Sequence, residues 1–324
     1  MIAAVLAAAA LMAGGCGGGG DDNGGAADTP PPPARPEDFP KARGKTIQQL
    51  SRQYGSGGPV LAASVSQLEL GRNRFGFGLF DRSRNQVTDV PVALYVAPAR
   101  GGPATGPFVA RWESLKVAPQ FQSRTVANDP DAARSVYAAD VKFDKPGDYQ
   151  ILGLARFDDR LVAATPAEPV VRVARRSAVP DVGDTAPRIH TPTKASVGGD
   201  LKKIDTRDPP DDMHDVDFAN VLGKQPVVLV FATPLLCQSR VCGPVVDIAD
   251  QVRAKRGKEA DFIHMEIYTD NQVEKGFRSQ VLSWHLPTEP WLFTIDRNGI
   301  IRARIEGAFS VAELNKAIDA AVKR

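Results

Sequence analysis

The segment KQPVVLVFATP at residues 224–234, with an uninterrupted apolar run at its centre, constrains the fold more than any other segment of the chain. Strands that are buried on both faces read as continuous apolar runs, whereas half-exposed strands alternate between apolar and polar residues. The run is followed by Val245, Ile248, Ala249 and Val252, which recur at helical spacing. A buried strand that leads into a helix predicts an α/β fold with parallel strands for this part of the chain.

Further segments repeat this alternation of strand and helix up to the C-terminus. The segments 261–270 and 291–296 are predicted to form strands, and residues 271–285 read as a helix between them. Asn298-Gly299 is a typical hairpin turn, so residues 300–307 are predicted to form the partner strand. With the helix that ends the chain, the predicted order for this half is βαβαββα.

Residues 59–175 have a different rhythm, in which short apolar or alternating runs are divided by clusters of Gly, Pro, Asp and Asn. Runs of this length between turn residues favour an all-β sandwich. The aromatic residues of these runs are expected in its core, namely Phe75, Phe77, Phe80 and Tyr149. The region contains no cysteine and no histidine, so we expect it to space or dock the chain rather than to catalyse.

Two segments of this region, 71–96 and 143–149, resemble extracytoplasmic immunoglobulin-like domains of the YtkA-like kind. The resemblance rests on the strand rhythm and on a Gly-x-aromatic turn. It implies a two-domain chain, with an all-β immunoglobulin-like sandwich over residues 59–175 and a separate α/β domain over residues 176–324.

The first sixteen residues, MIAAVLAAAALMAGGC, are almost wholly apolar or small. They resemble a bacterial lipoprotein signal peptide, in which small residues precede a cysteine that becomes lipidated, here Cys16. The resemblance implies that residues 1–16 are a signal and that the lipid on Cys16 anchors the exported chain to the outer face of the cytoplasmic membrane. Residues 17–58 are rich in Gly and Pro, which predicts a flexible tether. The alternative is an unstructured N-terminus with an incidental cysteine.

The charge of the chain argues against nucleic-acid binding, and its hydropathy argues against a membrane-spanning helix. The chain has 40 basic and 38 acidic residues and a formal net charge of +2, whereas nucleic-acid binding needs a strong basic patch. No apolar run reaches the roughly 18 to 20 residues of a membrane-spanning helix. We therefore expect no nucleic-acid partner, and contact with the membrane only through the lipid anchor.

Two cysteines remain once Cys16 is set aside, Cys237 and Cys242, and they lie five positions apart. Thiols outside the cytoplasm tend to be oxidised, so we predict that these two form a disulfide. Residues five apart on a regular helix point roughly 140° away from each other, and a disulfide needs Cα atoms within about 7 Å. The pair therefore requires a looped segment. Pro234 and Pro244 would bracket it, and Cys242 would lie at the start of the next helix.

Residues 182–324 resemble the thioredoxin-like superfamily, in particular its TlpA-like and AhpC/TSA redoxin members. Three features carry the resemblance: VGDTAP at 182–187, a strand that leads to cysteines at the start of a helix, and PWLFTIDRNG at 290–299. In that superfamily the proline of the last motif is cis and its loop faces the cysteines, which implies the same for Pro290. The resemblance implies a thioredoxin-like fold for residues 176–324.

Two alignments with this superfamily assign the cysteines differently. CGPV at 242–245 resembles the Cys-Gly-Pro-Cys site with its second cysteine replaced, so that Cys242 attacks and Cys237 is its partner. TPLLC at 233–237 resembles the peroxidatic segment of peroxiredoxin Q, so that Cys237 attacks and Cys242 resolves. Both imply an extracytoplasmic thiol–disulfide oxidoreductase or thiol peroxidase. Its substrates would be protein thiols, protein disulfides or peroxide, and its own dithiol would serve in place of a cofactor.

Two other interpretations stay open. A loop of this size can hold a structural disulfide without any chemistry, which would make the chain a non-catalytic binding or scaffold protein. Sco-type copper chaperones combine the same fold with two cysteines and a distant histidine, for which His285 is the candidate, and thiolate and imidazole ligands suit copper. His264 and His190 are interpreted as incidental, and Glu289, just before the proline, as a solvated charge that could contact a partner peptide.

Overall fold

The computed structural model describes residues 30–55 and 57–323. The predicted signal peptide and Cys16 lie outside the described residues, so export and the lipid anchor stay predictions. In the part of the chain that is described, no helix combines the length and the apolar character needed to cross a bilayer.

Strands dominate the first half of the described chain. They are β1 (Val60–Ala63), β2 (Leu68–Glu69), β3 (Gly71–Phe80), β4 (Val92–Pro98), β5 (Thr105–Ser114), β6 (Ser135–Phe143), β7 (Gly147–Phe157), β8 (Arg160–Pro166) and β9 (Val170–Ala174). The helices of this half are α1 (Ile47–Tyr54) and α2 (Arg124–Ala127), with 3₁₀ turns at Pro36–Asp38 and Pro119–Phe121. Seven strands close into a ring in the order β7-β4-β5-β6-β3-β1-β8, because β8 pairs with both β1 and β7. Strands β9 and then β2 extend outward from β7.

The all-β character predicted for residues 59–175 is confirmed, whereas the immunoglobulin-like sandwich is not. A sandwich is built from two facing sheets, and here the pairing of β8 on both sides joins the strands into one closed ring. Phe75 and Phe77 lie two positions apart on β3, on the same face of the strand, and both are fully buried, as predicted for the core. Phe80 and Tyr149 are only partly buried.

The segment before the ring is folded, so the prediction of a flexible tether over residues 17–58 needs correction in its described part. Helix α1 begins with a capping box in which Thr46 Oγ1 accepts the N–H of Gln49, and the Gln49 side chain accepts the N–H of Thr46. Leu50 is fully buried against the ring. The high Gly and Pro content of the whole segment concealed this short amphipathic stretch.

The second half of the chain is a four-stranded sheet with helices on both faces. Its strands are β10 (Val227–Phe231), β11 (Asp261–Met265), β12 (Trp291–Ile295) and β13 (Ile301–Glu306). Its helices are α3 (Phe218–Val221), α4 (Cys242–Arg256), α5 (Ser279–Ser283) and α6 (Val311–Val322), with 3₁₀ turns at Leu201–Lys203, Thr269–Asn271 and Val273–Lys275. The strand order is β11-β10-β12-β13; β10 is parallel to β11 and antiparallel to β12, which is antiparallel to β13. This is the topology of the thioredoxin-like fold, which is therefore confirmed.

Strand β10 is buried on both faces, as its apolar run predicts. Val228 and Val230 face the core formed by α4 and α6, while Leu229 and Phe231 face the opposite core around Trp284. Strand β10 is therefore held by packing on both faces, and the loop that carries the cysteines begins directly after it.

The prediction of a helix over residues 271–285 is wrong except at Ser279–Ser283, which form α5. Asp270 and Asn271 have φ values of 53° and 55°, and Gly276 has a φ of 73°. Left-handed backbone at these positions interrupts a right-handed helix, so the predicted stretch forms a 3₁₀ turn at Val273–Lys275 and an α-helix only at Ser279–Ser283.

Buried and half-buried polar contacts join the ring to the sheet. Arg74 on β3 forms a two-pronged ion pair with Glu313 on α6, at 2.7 and 2.8 Å. Glu306, at the end of β13, accepts the backbone N–H groups of Ser66 and Gln67 at 2.8 and 2.9 Å. The predicted boundary at residues 175 and 176 stays a prediction, but the two halves pack closely against each other.

Candidate functional site

The loop between β10 and α4 holds a disulfide between Cys237 and Cys242. Their Cα atoms are 5.9 Å apart, within the usual range for a disulfide. Cys237 lies in the loop and Cys242 is the first residue of α4. The looped segment predicted from the five-residue spacing is thus confirmed, and it ends at Arg240, whose φ is 59°.

The loop that contains Pro290 lies against this disulfide. The peptide bond between Glu289 and Pro290 is cis, as the resemblance implies. Glu289 Oε2 lies 3.4 Å from Cys242 Sγ and also accepts the backbone N–H of Thr233 at 2.8 Å. One carboxylate oxygen therefore connects the end of β10, the cysteine at the helix start and the proline loop.

Glu289 has the properties of a proton donor or acceptor near neutral pH. Burial raises the pKa of Glu289 to about 8, although the hydrogen bond from the Thr233 N–H acts in the opposite direction. The Tyr268 hydroxyl is a further hydrogen-bond partner of this carboxyl. The interpretation of Glu289 as a solvated charge is therefore wrong. The proline loop folds inward onto Cys242, and the sequence alone does not show this fold.

A second buried carboxyl, that of Glu266, extends the polar contacts inward from Thr233. Glu266 accepts hydrogen bonds from the hydroxyl of Thr233 and from the backbone N–H of Thr206, the latter at 2.7 Å. Burial raises the pKa of Glu266 as well. Glu289 and Glu266 thus bracket Thr233 directly beneath the cysteine loop.

A segment from the strand ring covers the disulfide. This covering segment, residues 115–134, connects β5 to β6. It packs on the cysteine loop through the ion pair of Asp129 with Arg240, at 3.1 Å, and through the Ala133 N–H, which donates to the Arg240 carbonyl at 3.1 Å. Beneath it, Cys237 is 5% exposed and Cys242 is fully buried.

A buried ion pair between Arg207 and Asp247 anchors the covering segment to α4. Arg207 Nε donates to Asp247 Oδ1 on α4 at 2.8 Å, and the two side chains are only 5% and 1% exposed. Asp247 Oδ2 accepts the N–H of Ser123 at 2.9 Å, and Arg207 Nη2 donates to the carbonyl of Phe121 at 2.8 Å. Sequence reasoning missed these contacts because residues 121–123 and 207 are far apart in the chain.

The structure does not bring His285 to the cysteines. His285 follows α5, with a φ of 53° and an exposed side chain. Within the described residues, the side chain that could complete a metal site with Cys237 and Cys242 is Glu289. The disulfide and the neighbouring Glu289 carboxyl lack the imidazole that a Sco-like copper site needs, so these residues do not fit that site.

His264, interpreted as incidental, lies in a second buried polar cluster with His214, Asp205 and Asp211. His264 Nδ1 lies 2.8 Å from Asp211 Oδ2, and its Nε2 lies 3.0 Å from the carbonyl of Ala232. His190 is instead exposed and contacts Asp217 at 2.6 Å, outside this cluster.

No protein-family model matches the chain, and no curated protein matches it. One similar crystal structure is described as the thiol:disulfide interchange protein DsbE from Chlorobium tepidum; it is 20% identical with a TM-score of 0.32, over 44% of this chain and 99% of that chain. Another is a thioredoxin-like superfamily protein, 16% identical with a TM-score of 0.28, over 34% of this chain and 87% of that chain. Similarities this low carry no argument, so the fold of this chain follows from its own strand order.

Replacing Glu289 with glutamine should change how stability depends on pH. Glutamic acid has a pKa near 4.5 when unfolded, so between about pH 4.5 and 8 the unfolded chain releases a proton that the folded chain keeps. The wild type therefore loses stability as the pH rises through this window, whereas Glu289→Gln is spared the loss. The difference in the free energy of unfolding between the variant and the wild type should therefore be larger above pH 8 than at pH 4.5. We expect this increase to be on the order of 2 kcal/mol in favour of the variant, after a discount for the partial exposure of Glu289.

Urea unfolding of the oxidised protein at pH 5, 7 and 9 measures this difference. Glu168→Gln, at an exposed position, is the matched control and should follow the wild type throughout. Parallel pH profiles for wild type and Glu289→Gln would show that Glu289 ionises normally in the folded chain.

Proposed function

We propose that the chain is a thiol–disulfide oxidoreductase that exchanges the Cys237–Cys242 disulfide with protein thiols outside the cytoplasm. The single observation that carries the proposal is the contact between Cys242 Sγ and Glu289 Oε2, at 3.4 Å, where the carboxyl has a pKa of about 8. A structural disulfide needs no proton donor, whereas exchange releases a thiolate that must be protonated.

The burial of the two sulfurs favours Cys237 as the one that a partner attacks. Cys237 lies in the loop, two residues after Leu235, whose side chain is 62% exposed and offers an apolar contact for a partner. Cys242 is sealed at the start of α4, fully buried beside the Glu289 carboxyl. This assigns exchange with the partner to Cys237 and the internal role to Cys242.

The first step begins with a partner thiolate. It attacks Cys237 Sγ, a new sulfur–sulfur bond forms, and the Cys237–Cys242 bond breaks with its electron pair left on Cys242 Sγ. The carboxyl of Glu289 transfers its proton to that thiolate. The products are a mixed disulfide at Cys237, a Cys242 thiol and a Glu289 carboxylate.

The second step releases the partner. A second thiolate of the partner attacks the partner sulfur of the mixed disulfide, and Cys237 leaves as a thiolate that takes a proton from water. The Glu289 carboxylate regains a proton from solvent. The partner dithiol is then oxidised to a disulfide, and the chain has gained two electrons and two protons. The same steps run backwards when the reduced chain acts on a partner disulfide.

The peroxidase alternative has less support. Within the described residues, Cys237 Sγ contacts Ser239 Oγ at 3.2 Å, whereas the Thr233 hydroxyl is bound to Glu266 and Arg240 pairs with Asp129. In the peroxiredoxins that TPLLC resembles, a threonine and an arginine assist the peroxidatic cysteine, and these contacts give Cys237 neither partner. Export and anchoring at Cys16 are part of the proposal and rest on the signal-like sequence of residues 1–16.

Trapping of mixed disulfides tests the proposal and the order of the cysteines. A fluorescent peptide with one cysteine, activated as its thiopyridyl disulfide, is offered to the reduced protein and its serine variants. Cys242→Ser should accumulate the peptide on Cys237, because the internal thiol that would release it is absent. Cys237→Ser should label far more slowly, since Cys242 is buried, and wild type should release the peptide again. Equal labelling of both variants, or no release by wild type, would overturn the proposal.

A further inference from the structure

We propose that Asp205, Asp211, His214 and His264 form a binding site for one divalent transition-metal ion of the zinc type. The four side chains offer one ligand atom each, and these atoms lie within 4.8 Å of one another. All four residues are at most 2% exposed. The site is separate from the cysteine pair, and the proposal does not rest on the redox function.

The contacts of His214 fit ligand atoms around a metal better than they fit hydrogen bonds. Its Nε2 lies 3.3 Å from Asp205 Oδ2 and 3.4 Å from Asp211 Oδ1. Charge-assisted N–H···O bonds are usually about 2.7–2.9 Å long. Ligands in a tetrahedron with metal bonds of about 2.0–2.1 Å lie roughly 3.3–3.4 Å apart. The imidazole nitrogen therefore lies at ligand distance from both carboxylates.

The surrounding backbone orients the four side chains as it does in metal sites. His264 Nε2 faces the carbonyl of Ala232 at 3.0 Å, which leaves Nδ1 directed at the two aspartates. Asp205 accepts the N–H groups of Arg207 and Asp211 at 2.8 and 2.7 Å. Such contacts fix the tautomer of a ligating histidine and hold ligating carboxylates in place.

Charge balance favours the same conclusion. Two carboxylates buried without compensation are costly, and among the described residues Asp205 and Asp211 form ion pairs only with the two histidines. One divalent cation would balance the charge of the two aspartates, and carboxylates and imidazoles are ligand types that suit zinc.

The burial of the ligands makes this a structural site rather than a catalytic one. A catalytic metal keeps an open position for water or substrate, whereas four protein ligands close the coordination shell. Three of the ligands come from the irregular segment 205–214, and the fourth comes from β11. The ion would therefore fasten this long segment, which also carries Thr206 and Arg207, to the edge of the sheet.

Metal analysis of the oxidised full chain tests the site, because the disulfide then offers no thiolates. Protein dialysed against Zn²⁺ and then desalted should retain about one zinc per chain, and its Tm should rise by several degrees relative to protein treated with a chelator. The Cys237→Ser/Cys242→Ser variant should retain the same amount. His214→Gln and Asp211→Asn should lose the zinc and the Tm increment, whereas the matched controls His190→Gln and His285→Gln should keep both.

Cobalt provides a measurement that does not depend on the variants folding. Wild type loaded with Co²⁺ should show the intense visible absorption of a tetrahedral site. Wild type that keeps no zinc, gains no Tm and shows no such absorption would overturn the proposal in favour of two protonated histidines. Zinc retained equally by His214→Gln would also overturn it, because the metal would then be bound elsewhere.

Discussion

Replacing Arg207 with alanine is expected to lower the free energy of unfolding by about 3–5 kcal/mol, because the change leaves the buried Asp247 carboxylate without its cation. Both side chains are almost fully buried. Burial already raises the pKa of Asp247 with Arg207 in place, so the carboxylate depends on its partner. The same change removes the bond from Arg207 Nη2 to the Phe121 carbonyl at the base of the covering segment.

Urea unfolding monitored by circular dichroism measures the effect, and the chain provides a matched control. Arg124 pairs with Asp208 at 2.7 Å, but these side chains are 66% and 50% exposed. Arg124→Ala should therefore lower the free energy of unfolding far less than Arg207→Ala does. A paired change, Arg207→Met/Asp247→Leu, should recover much of the loss, because neither charge is then buried alone. If Arg207→Ala costs no more than Arg124→Ala, the buried pair does not hold this part of the fold together.

Replacing Gly243 with alanine should open the covering segment and expose the disulfide to reductants. A Cβ at Gly243 would lie 2.8 Å from Val126 Cγ2, closer than atoms of this kind approach each other. Overpacking of this sort costs roughly 1–3 kcal/mol, and each 1.4 kcal/mol is about tenfold in an equilibrium. We expect a thiol reductant to reduce the Cys237–Cys242 disulfide about 10 to 100 times faster in Gly243→Ala than in wild type.

The double variant Gly243→Ala/Val126→Ala separates crowding from other effects of the new methyl group. Truncation of Val126 removes the clashing methyl groups, so the double variant should return towards the wild-type rate. The rate is followed by quenching with an alkylating agent and mass measurement. Gly243→Ala reduced at the wild-type rate would show that the covering segment does not limit access, and a double variant as fast as the single one would assign the effect to α4 itself.

Local signals in the sequence predicted the architecture of the cysteine loop well. The apolar run at 227–231 specified a strand buried on both faces, and the five-residue spacing of Cys237 and Cys242 required a loop before the helix. Pro290 was placed by its motif spacing, and its peptide bond is cis. In each case the relevant physics lies within a few consecutive residues.

The parts that the sequence could not predict depend on contacts between distant segments. Glu289 looked like a solvated charge because its partners, Thr233 and Cys242, lie more than forty positions earlier. The covering segment could not be placed over the cysteines by any local pattern, since it belongs to the strand ring. Closure of the ring likewise depends on β8 pairing with two strands at once.

The buried cluster of His214 and His264 was missed for the same reason. Its three loop members lie within ten positions of one another, but His264 comes from β11, where it read as one residue of an apolar strand. The spacing Asp205, Asp211 and His214 was the available signal. Without the position of β11, nothing distinguished these residues from the polar residues of an ordinary loop.

The reduction potential of the Cys237–Cys242 pair tests the central claim most directly. The oxidised full chain is equilibrated with glutathione and dithiol redox buffers, and the reduced fraction is measured after alkylation. An exchanging disulfide should titrate above about −300 mV, within the range of known oxidoreductases. A potential below about −300 mV, resistant to the glutathione pool, would contradict the account and identify the bond as a structural crosslink.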